Sequence, residues 1–377
     1  MSDIIVTRAE LPAIPGLSLT EGVVPSSLDG APQPVIIGVP EQPCATPTPL
    51  LVGLHTWSAD YHQQTEAFGP LCARYGWLMV LPNFRGPNLT SNPQATLAGG
   101  SLAAQRDIVD AVAYMQAEHD VDDRRIYLIG GSGGGHMSLL MAGKHPDLWA
   151  GVSSWCPITS LREWHEQGNS YAPHVEAVCG GPPSADEVPA GSRRSYVNFE
   201  YERRSPRTFI TNAANTHVRI SHGDKDRCIH VAQTWRTYEQ LLDLPHRVEL
   251  YSWSGGHEIV NEWGFAWLAQ QVKPAEPPPR LDLVSDEGKW YHWLYLEPDA
   301  PLTMARAHAE WTSPTTLSLQ VEHSATTRTN LSGLPVTRLT AAEREGQAVP
   351  VASLEFVDSI LTLPVSAAPT SWQLIFE

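Results

Sequence analysis

The chain has 377 residues, 42% hydrophobic and 18% charged, with 25 Lys and Arg against 41 Asp and Glu. At roughly 150 residues per domain this length suggests two domains, or one large domain with an appendage, and the composition excludes a small disulfide-stapled module and a disordered chain. The formal net charge of −16 excludes general electrostatic attraction to nucleic acid or to anionic membranes, so neither is expected as a partner.

The opening MSDIIVTRAELPAIPG has no basic stretch running into an apolar one, so no secretory signal is read and a cytoplasmic location is expected, a processed secreted form being the alternative. Apolar runs such as Trp77 to Leu81 and Ile126 to Ile129 are strand-sized, short of the roughly 20 residues that cross a bilayer. From Gly22 to Pro40, two extended runs flank the turn signal Asp29-Gly30, which predicts a β-hairpin at a sheet edge. Residues 1–49 thus read as a hairpin and Pro-rich lead-in.

From residue 50 short apolar runs alternate with longer helical stretches, the grammar of a mostly parallel α/β sheet. The predicted strands are Leu50 to Leu54, Trp77 to Leu81, Ile126 to Gly130, Ala150 to Trp155, Val218 to Ser221 and Arg247 to Trp253, each read as covered on both faces. The clearest helix runs from Leu102 to Glu118, where Ala104, Ile108, Ala111 and Met115 form one buried stripe. Arg106, Asp107, Asp110 and Glu118 read as its solvated face.

Residues 157–216 break the alternation and read as an insertion above the sheet. The run PAEPPPR near residues 273–280 is a stiff spacer and the predicted domain boundary. Beyond it, residues 281–377 carry the β-type runs WYHWLYLE, TTLSLQVEH, LPVTRLT, SILTLPV and WQLIFE, predicting a small antiparallel sandwich. Trp290, Tyr291, Trp293 and Tyr295 read as a core-plus-edge strand ahead of a carbohydrate-binding face. The expected fold is therefore an α/β unit over residues 50–272 followed by a β-rich domain.

The five cysteines form no CxxC pair and the histidines no HExxH spacing, so no metal site is expected. A single disulfide such as Cys179 with Cys228 stays open. The sharpest feature is Arg125 to His136, where a strand runs into Gly130-Gly131-Ser132-Gly133-Gly134 and then a helix. This is the setting of a nucleophile elbow: the turn lifts the Ser132 hydroxyl above the sheet only if the flanking residues are small enough for strand and helix to approach. Phosphate-cradle readings fail because His136 and Met137 stand where such a loop needs Lys and Ser or Thr.

A serine needs a base and an orienting carboxylate, here in the order Ser, acid, His. Two predicted strand ends supply them, His222-Gly223-Asp224-Lys225-Asp226 and Ser254-Gly255-Gly256-His257, where an open α/β sheet places its site. His257 is the base by position; Asp224 and Asp226 both qualify as the acid, and His136 reads as packed. For the oxyanion, the amides of Gly133 and of Trp57 in the loop His55 to Tyr61 are expected donors, with the Tyr61 side chain assisting. Tyr61, Trp155, Trp164 and Tyr171 are the candidate substrate-pocket residues.

The series LHTWSADY, PNFRGPN, DIVDAVAYM, VDDRRIYLIGGSGGGHM, HGDKDRCIHVAQ and SGGHE resembles the catalytic domain of the prolyl oligopeptidase family, over about Gly22 to Gln271. More narrowly it resembles the esterase-like branch of that α/β-hydrolase group. The family's His-Gly-x-x-Asp pattern carries the acid on its last residue, which implies Asp226. Two departures stand out: only about fifty residues precede the catalytic region where the family's peptidases carry a propeller, and His55-Thr56 replaces the usual His-Gly. The resemblance implies a cofactor-independent serine hydrolase acting on a small-molecule or oligomeric ester. A peptidase or amidase using the same residues is the second reading, and an inert hydrolase fold that binds a ligand or glycan the third.

Overall fold

The computed structural model describes residues 11–185, 188–242, 247–332, 334, 336 and 338–377. Most of the N-terminal segment read for a leader, and three positions around the LPVTRLT run, lie outside them. Among the described residues no helix is long and apolar enough to cross a membrane.

Eight strands build one sheet: β1 (Leu17–Pro25), β2 (Pro32–Pro40), β3 (Thr48–Leu54), β4 (Leu78–Pro82), β5 (Val121–Gly131), β6 (Gly151–Trp155), β7 (His217–Gly223) and β8 (Arg247–Trp253). Their order is β1-β2-β4-β3-β5-β6-β7-β8. β2 is antiparallel to β1 and to β4, and from β4 onward all neighbours are parallel. Helices α1 (Thr65–Tyr75), α2 (Leu102–Glu118), α3 (Gly133–Lys144), α4 (Leu161–Glu166), α5 (Ala172–Cys179), α6 (Arg193–Arg203), α7 (Pro206–Phe209), α8 (Ala232–Glu239) and α9 (Asn261–Leu268) complete this part.

The continuous apolar runs of the central strands serve two faces at once. Leu50, Val52, Leu54, Ile126 and Leu128 pack with Ile108, Met115 and Leu139 of α2 and α3 on one side. Leu51, Tyr127, Ile129 and Trp155 pack with Phe68 and Phe265 of α1 and α9 on the other. This division is the period-two alternation of a strand covered on both sides. β8 departs from the expectation: it is the sheet edge, and its alternating Arg247, Glu249 and Tyr251 leave it largely exposed.

The α2 stripe is buried as read, but its polar face is not all solvated. Asp107 is buried and receives the Arg85 guanidinium at 2.7 Å, while the same Arg85 grips Asp29 in the β1–β2 turn at 2.9 Å. A charge on the inner side of a helix persists only with such a partner, and here the partner comes from the loop after β4. Asp110 is also engaged, accepting from the Ser27 amide at 2.7 Å. The network ties hairpin, loop and helix together.

The remaining strands are β9 (Arg280–Ser285), β10 (Lys289–Tyr291), β11 (Leu294–Pro298), β12 (Ala305–Ser313), β13 (Thr316–Glu322), β14 (Ser324–Asn330), β15 (Leu339–Arg344), β16 (Gln347–Val349), β17 (Glu355–Val357), β18 (Ile360–Leu363) and β19 (Thr370–Phe376). They form two antiparallel sheets, β10-β11-β14-β18-β17 and β16-β15-β19-β13-β12-β9, sharing one apolar core. Tyr291 and Trp293 lie in that core, and Trp290 meets Tyr295 edge to face on its surface.

This β unit is docked onto the α/β unit by polar contacts. Asn212 exchanges two 2.8 Å hydrogen bonds with the Val284 backbone. Asp286 pairs with Lys144 at the end of α3 and, at 2.8 Å, with Arg203 of α6; the Lys144 and Asp286 side chains are both fully buried. All five cysteines are free thiols, so the Cys179–Cys228 pairing left open above does not form.

Candidate active site

β5 ends in the strained turn that the glycine pattern requires. Ser132 has φ 56° and ψ −118°, a conformation costing about 1–3 kcal/mol in a non-glycine residue. It is held because the Ser132 amide donates to the Trp155 carbonyl at 2.8 Å and its own carbonyl accepts from His136 at 2.8 Å. A Cβ on Gly134 would lie 2.6 Å from the Leu54 carbonyl oxygen, and one on Gly133 would strike the Trp57 amide. Only glycine lets α3 start this close to the end of β3.

That close approach brings the Trp57 backbone against residue 133. Gly133 opens α3, so its N–H has no intrahelical acceptor, and the Trp57 amide has no acceptor among the described residues. The Trp57 carbonyl is fixed by the Asn88 amide at 2.9 Å. The loop's first residue, His55, is buried between the carbonyls of Thr56 and Asn83, each 2.8 Å from a ring nitrogen, and stacks on Phe84. Where the family has Gly after this histidine, Thr56 is accommodated with its amide donating to Gln63 at 2.8 Å.

After β7, Asp226 turns inward. Its Oδ2 accepts from His257 Nδ1 at 2.6 Å and from His222 Nε2 at 3.1 Å, and its Oδ1 accepts the amides of Cys228 and Ile229 at 2.8 and 3.0 Å. Burial opposes ionisation of this carboxyl, but the hydrogen bonds from His222, His257 and Ile229 prevail and hold it well below the ordinary Asp range. Asp224 is exposed and, among the described residues, its backbone alone is engaged, the amide donating to the Trp253 carbonyl at 2.9 Å. His257 stands in the loop after β8 with its side chain 28% exposed, and Ser132 is half-buried. Nucleophile, acid and base candidates all lie at the carboxyl ends of parallel strands.

His222 escaped the sequence reading. It stands four residues before Asp226, inside the same His-Gly-x-x-Asp motif, and its other ring nitrogen meets Thr234 Oγ1 at 2.8 Å. Cys156, directly after β6, is also within reach of the Asp226–His257 pair; nothing in its local sequence marks it. His136 is buried with Nε2 on the Arg204 carbonyl at 2.7 Å, and burial pushes it down to about 4. It is a packed residue on α3.

The pocket candidates divide. Trp164 on α4 is buried, meets Trp57 edge to face at 5.0 Å, stacks on half-buried Tyr171 at 5.1 Å, and donates Nε1–H to the Cys228 carbonyl at 3.0 Å. Trp155 instead points into the core between sheet and α9, its Nε1 on Ser153; only its carbonyl touches the site. Tyr61 gives its hydroxyl to Glu21 of β1 at 2.5 Å, which commits that side chain to the hairpin rather than to an oxyanion. Apolar residues of 157–216, among them Ile158, Leu161, Val175 and Val178, form one cluster with Trp57.

The sheet order, the elbow and the strand-end loops define an α/β-hydrolase of the serine-hydrolase type. A profile described as the prolyl oligopeptidase family matches residues 70–258, half of the chain, and the chain belongs to that family. It is 26% identical over 204 residues to the Bacillus subtilis "Uncharacterized peptidase YtmA", covering 54% of this chain and 68% of that one. With acetylxylan esterase A of Emericella nidulans it shares 24% over 267 residues, 67% of this chain and 81% of the relative. The match to the mouse acylamino-acid-releasing enzyme, 26% over 189 residues, takes in 49% of this chain but a quarter, 25%, of the relative. Among solved structures, the Pyrococcus horikoshii acylaminoacyl peptidase superposes with a TM-score of 0.53 at 17% identity, over 70% of this chain and 43% of that one. At that identity the likeness is one of fold.

Proposed function

We propose that the protein hydrolyses carboxylic esters through an acyl-enzyme on Ser132, with His257 as general base and Asp226 orienting it. The observation that carries this reading is the 2.6 Å bond from His257 Nδ1 to Asp226, made between the loops after β7 and β8 of the sheet whose β5 ends in the Ser132 elbow. That bond fixes the imidazole with Nδ1 as donor, which leaves Nε2 to take the serine proton; Asp226 then stabilises the imidazolium. The Gly133 and Trp57 amides receive the developing oxyanion. Half-buried Tyr171, backed by buried Trp164, supplies an aromatic face for an apolar or aromatic substrate group. No metal or cofactor enters this chemistry.

Relatives named as esterases and relatives named as peptidases both match the chain in sequence, so the bond cleaved is decided by assay. A panel of acetyl, feruloyl-type and longer-chain esters, run beside peptides, is expected to show turnover of esters. Hydrolysis of peptides without short aryl esters would replace the reading with a peptidase. Failure of a fluorophosphonate to label Ser132 would replace both with an inert ligand-binding hydrolase fold. The Ser132→Ala variant is expected to lose on the order of 10⁶ in kcat, by analogy with serine proteases.

A further inference from the structure

The ends of β6, β7 and β8 bring together three donor atoms of different kinds. Cys156 follows β6 with φ 43°; its amide donates to the Ser221 carbonyl at 2.7 Å, and its thiol lies 3.3 Å from the Glu258 carbonyl, one residue past the base. One ligand atom each from Cys156, Asp226 and His257 lie within 4.8 Å of one another. Cys156 and Asp226 are buried, while His257 is partly exposed on the Ser254-Gly255-Gly256 loop.

We infer that Cys156, Asp226 and His257 form a binding site for a thiophilic divalent cation of the zinc class, and that its occupation switches the hydrolase off. This rests on His257 acting as the base. Zinc bonds of about 2.3 Å to sulfur and about 2.0–2.2 Å to nitrogen or oxygen put tetrahedral donors roughly 3.5 Å apart, so the 2.6 Å His257 Nδ1–Asp226 Oδ2 pair opens by on the order of 1 Å to admit an ion that the Cys156 sulfur can reach. His257, on its glycine loop, is the member free to adjust, and water supplies the fourth ligand. The charges balance: a thiolate and a carboxylate neutralise the dication in a buried place, where an uncompensated charge is costly. The sulfur selects zinc or cadmium over magnesium, which takes oxygen ligands.

The protons balance as well. The Cys156 thiol releases one proton to solvent as the sulfur–metal bond forms. His257 stays neutral, but the ion takes the Nδ1 lone pair, so the ring proton moves from Nδ1 to Nε2. An imidazole protonated at Nε2 has no lone pair for the Ser132 proton, and acyl transfer stops. Asp226 remains a carboxylate and exchanges its hydrogen bond from His257 for the ion.

The test titrates ZnCl₂ into metal-free wild type, Cys156→Ala and Cys156→Ser, following 4-nitrophenyl acetate hydrolysis relative to each protein's own metal-free rate. Wild type is expected to be inhibited at micromolar zinc, recovered by chelator and untouched by millimolar magnesium. The half-inhibitory concentration should rise at least about tenfold in Cys156→Ala. Zinc sensitivity equal to that of wild type in both Cys156 variants, or an unaffected wild type, overturns the site. A second readout is independent of turnover: Co²⁺ added to Ser132→Ala should give a thiolate charge-transfer band that is absent from the Ser132→Ala, Cys156→Ala double variant. If Ser132→Ala retains wild-type turnover, the hydrolase reading fails while the cobalt band still decides the metal site; no band overturns the site.

Discussion

Asp224 and Asp226 stand two positions apart in opposite surroundings. Asp226 is buried among two imidazoles and two amides, whereas the Asp224 side chain faces solvent. Asp226→Asn should therefore cost about 10⁴ in kcat, the loss seen when a triad carboxylate becomes an amide and the imidazole takes the wrong tautomer. Asp224→Asn should leave turnover near wild type. Steady-state kinetics on one aryl ester compares the two, and a larger loss at Asp224 would reverse the assignment. Residue order placed Ser132 and His257 as candidates, because an elbow and a glycine loop after a strand are local patterns. Cys156 was not legible, since it matters through a contact made across strand ends, whereas His222 lay inside the motif that carries Asp226 and its i,i+4 spacing was the signal that could have found it.

At the scale of elements, the approach of α3 to β3 turns a backbone position into chemistry. A methyl group at residue 133 falls on the Trp57 amide, so Gly133→Ala should push one proposed oxyanion donor away and lower kcat by about 10²–10³, the cost of losing one such donor. The measurement is kcat on a short ester beside a thermal melt. The same principle decided what could be read in α2. Its apolar stripe follows from spacing alone, but inward-facing Asp107 requires Arg85, 22 residues away, and no periodicity shows that. β8 was placed correctly, yet its exposure depends on being last in the sheet, a property of topology rather than of the strand.

The Arg85 cluster also has a pH signature. The guanidinium beside Asp29 lowers that carboxyl from 3.8 to about 2. A depressed folded-state value means the contribution is present above about pH 4 and is lost as pH falls through about 2. Wild type should consequently lose more thermal stability than Asp29→Asn over that window, measured by melts at matched ionic strength. Parallel curves for the two proteins would remove Asp29 from the account.

For the whole molecule, the sequence marked a β-rich second part but not how it attaches. The Pro-rich run is a local signal. Asp286 reaching Lys144 and Arg203 joins residues 142 and 83 positions apart, and only the folded chain displays it. Asp286→Ala should destabilise the protein, by less than the about 3–5 kcal/mol of a fully orphaned buried charge, because it removes the nearer counter-charge of buried Lys144 and leaves it Glu287 at 3.6 Å. Removing the charge as well, in Lys144→Met with Asp286→Leu, should recover most of that loss. Chemical denaturation of the single and double variants tests the pairing, and additive losses would contradict it.

Lys144 closes the helix that begins at Gly133, next to Ser132. Its counter-charge is translated after His257, which gives the pairing a meaning in time. While the chain emerges from the ribosome, Ser132, Asp226 and His257 are all synthesised before Asp286, and the far end of the nucleophile helix still lacks the carboxylate that makes its burial tolerable. Final packing of that helix therefore waits for β9 and the turn after it. The last turn of α3 is thus completed from a part of the chain made well after the three candidate site residues.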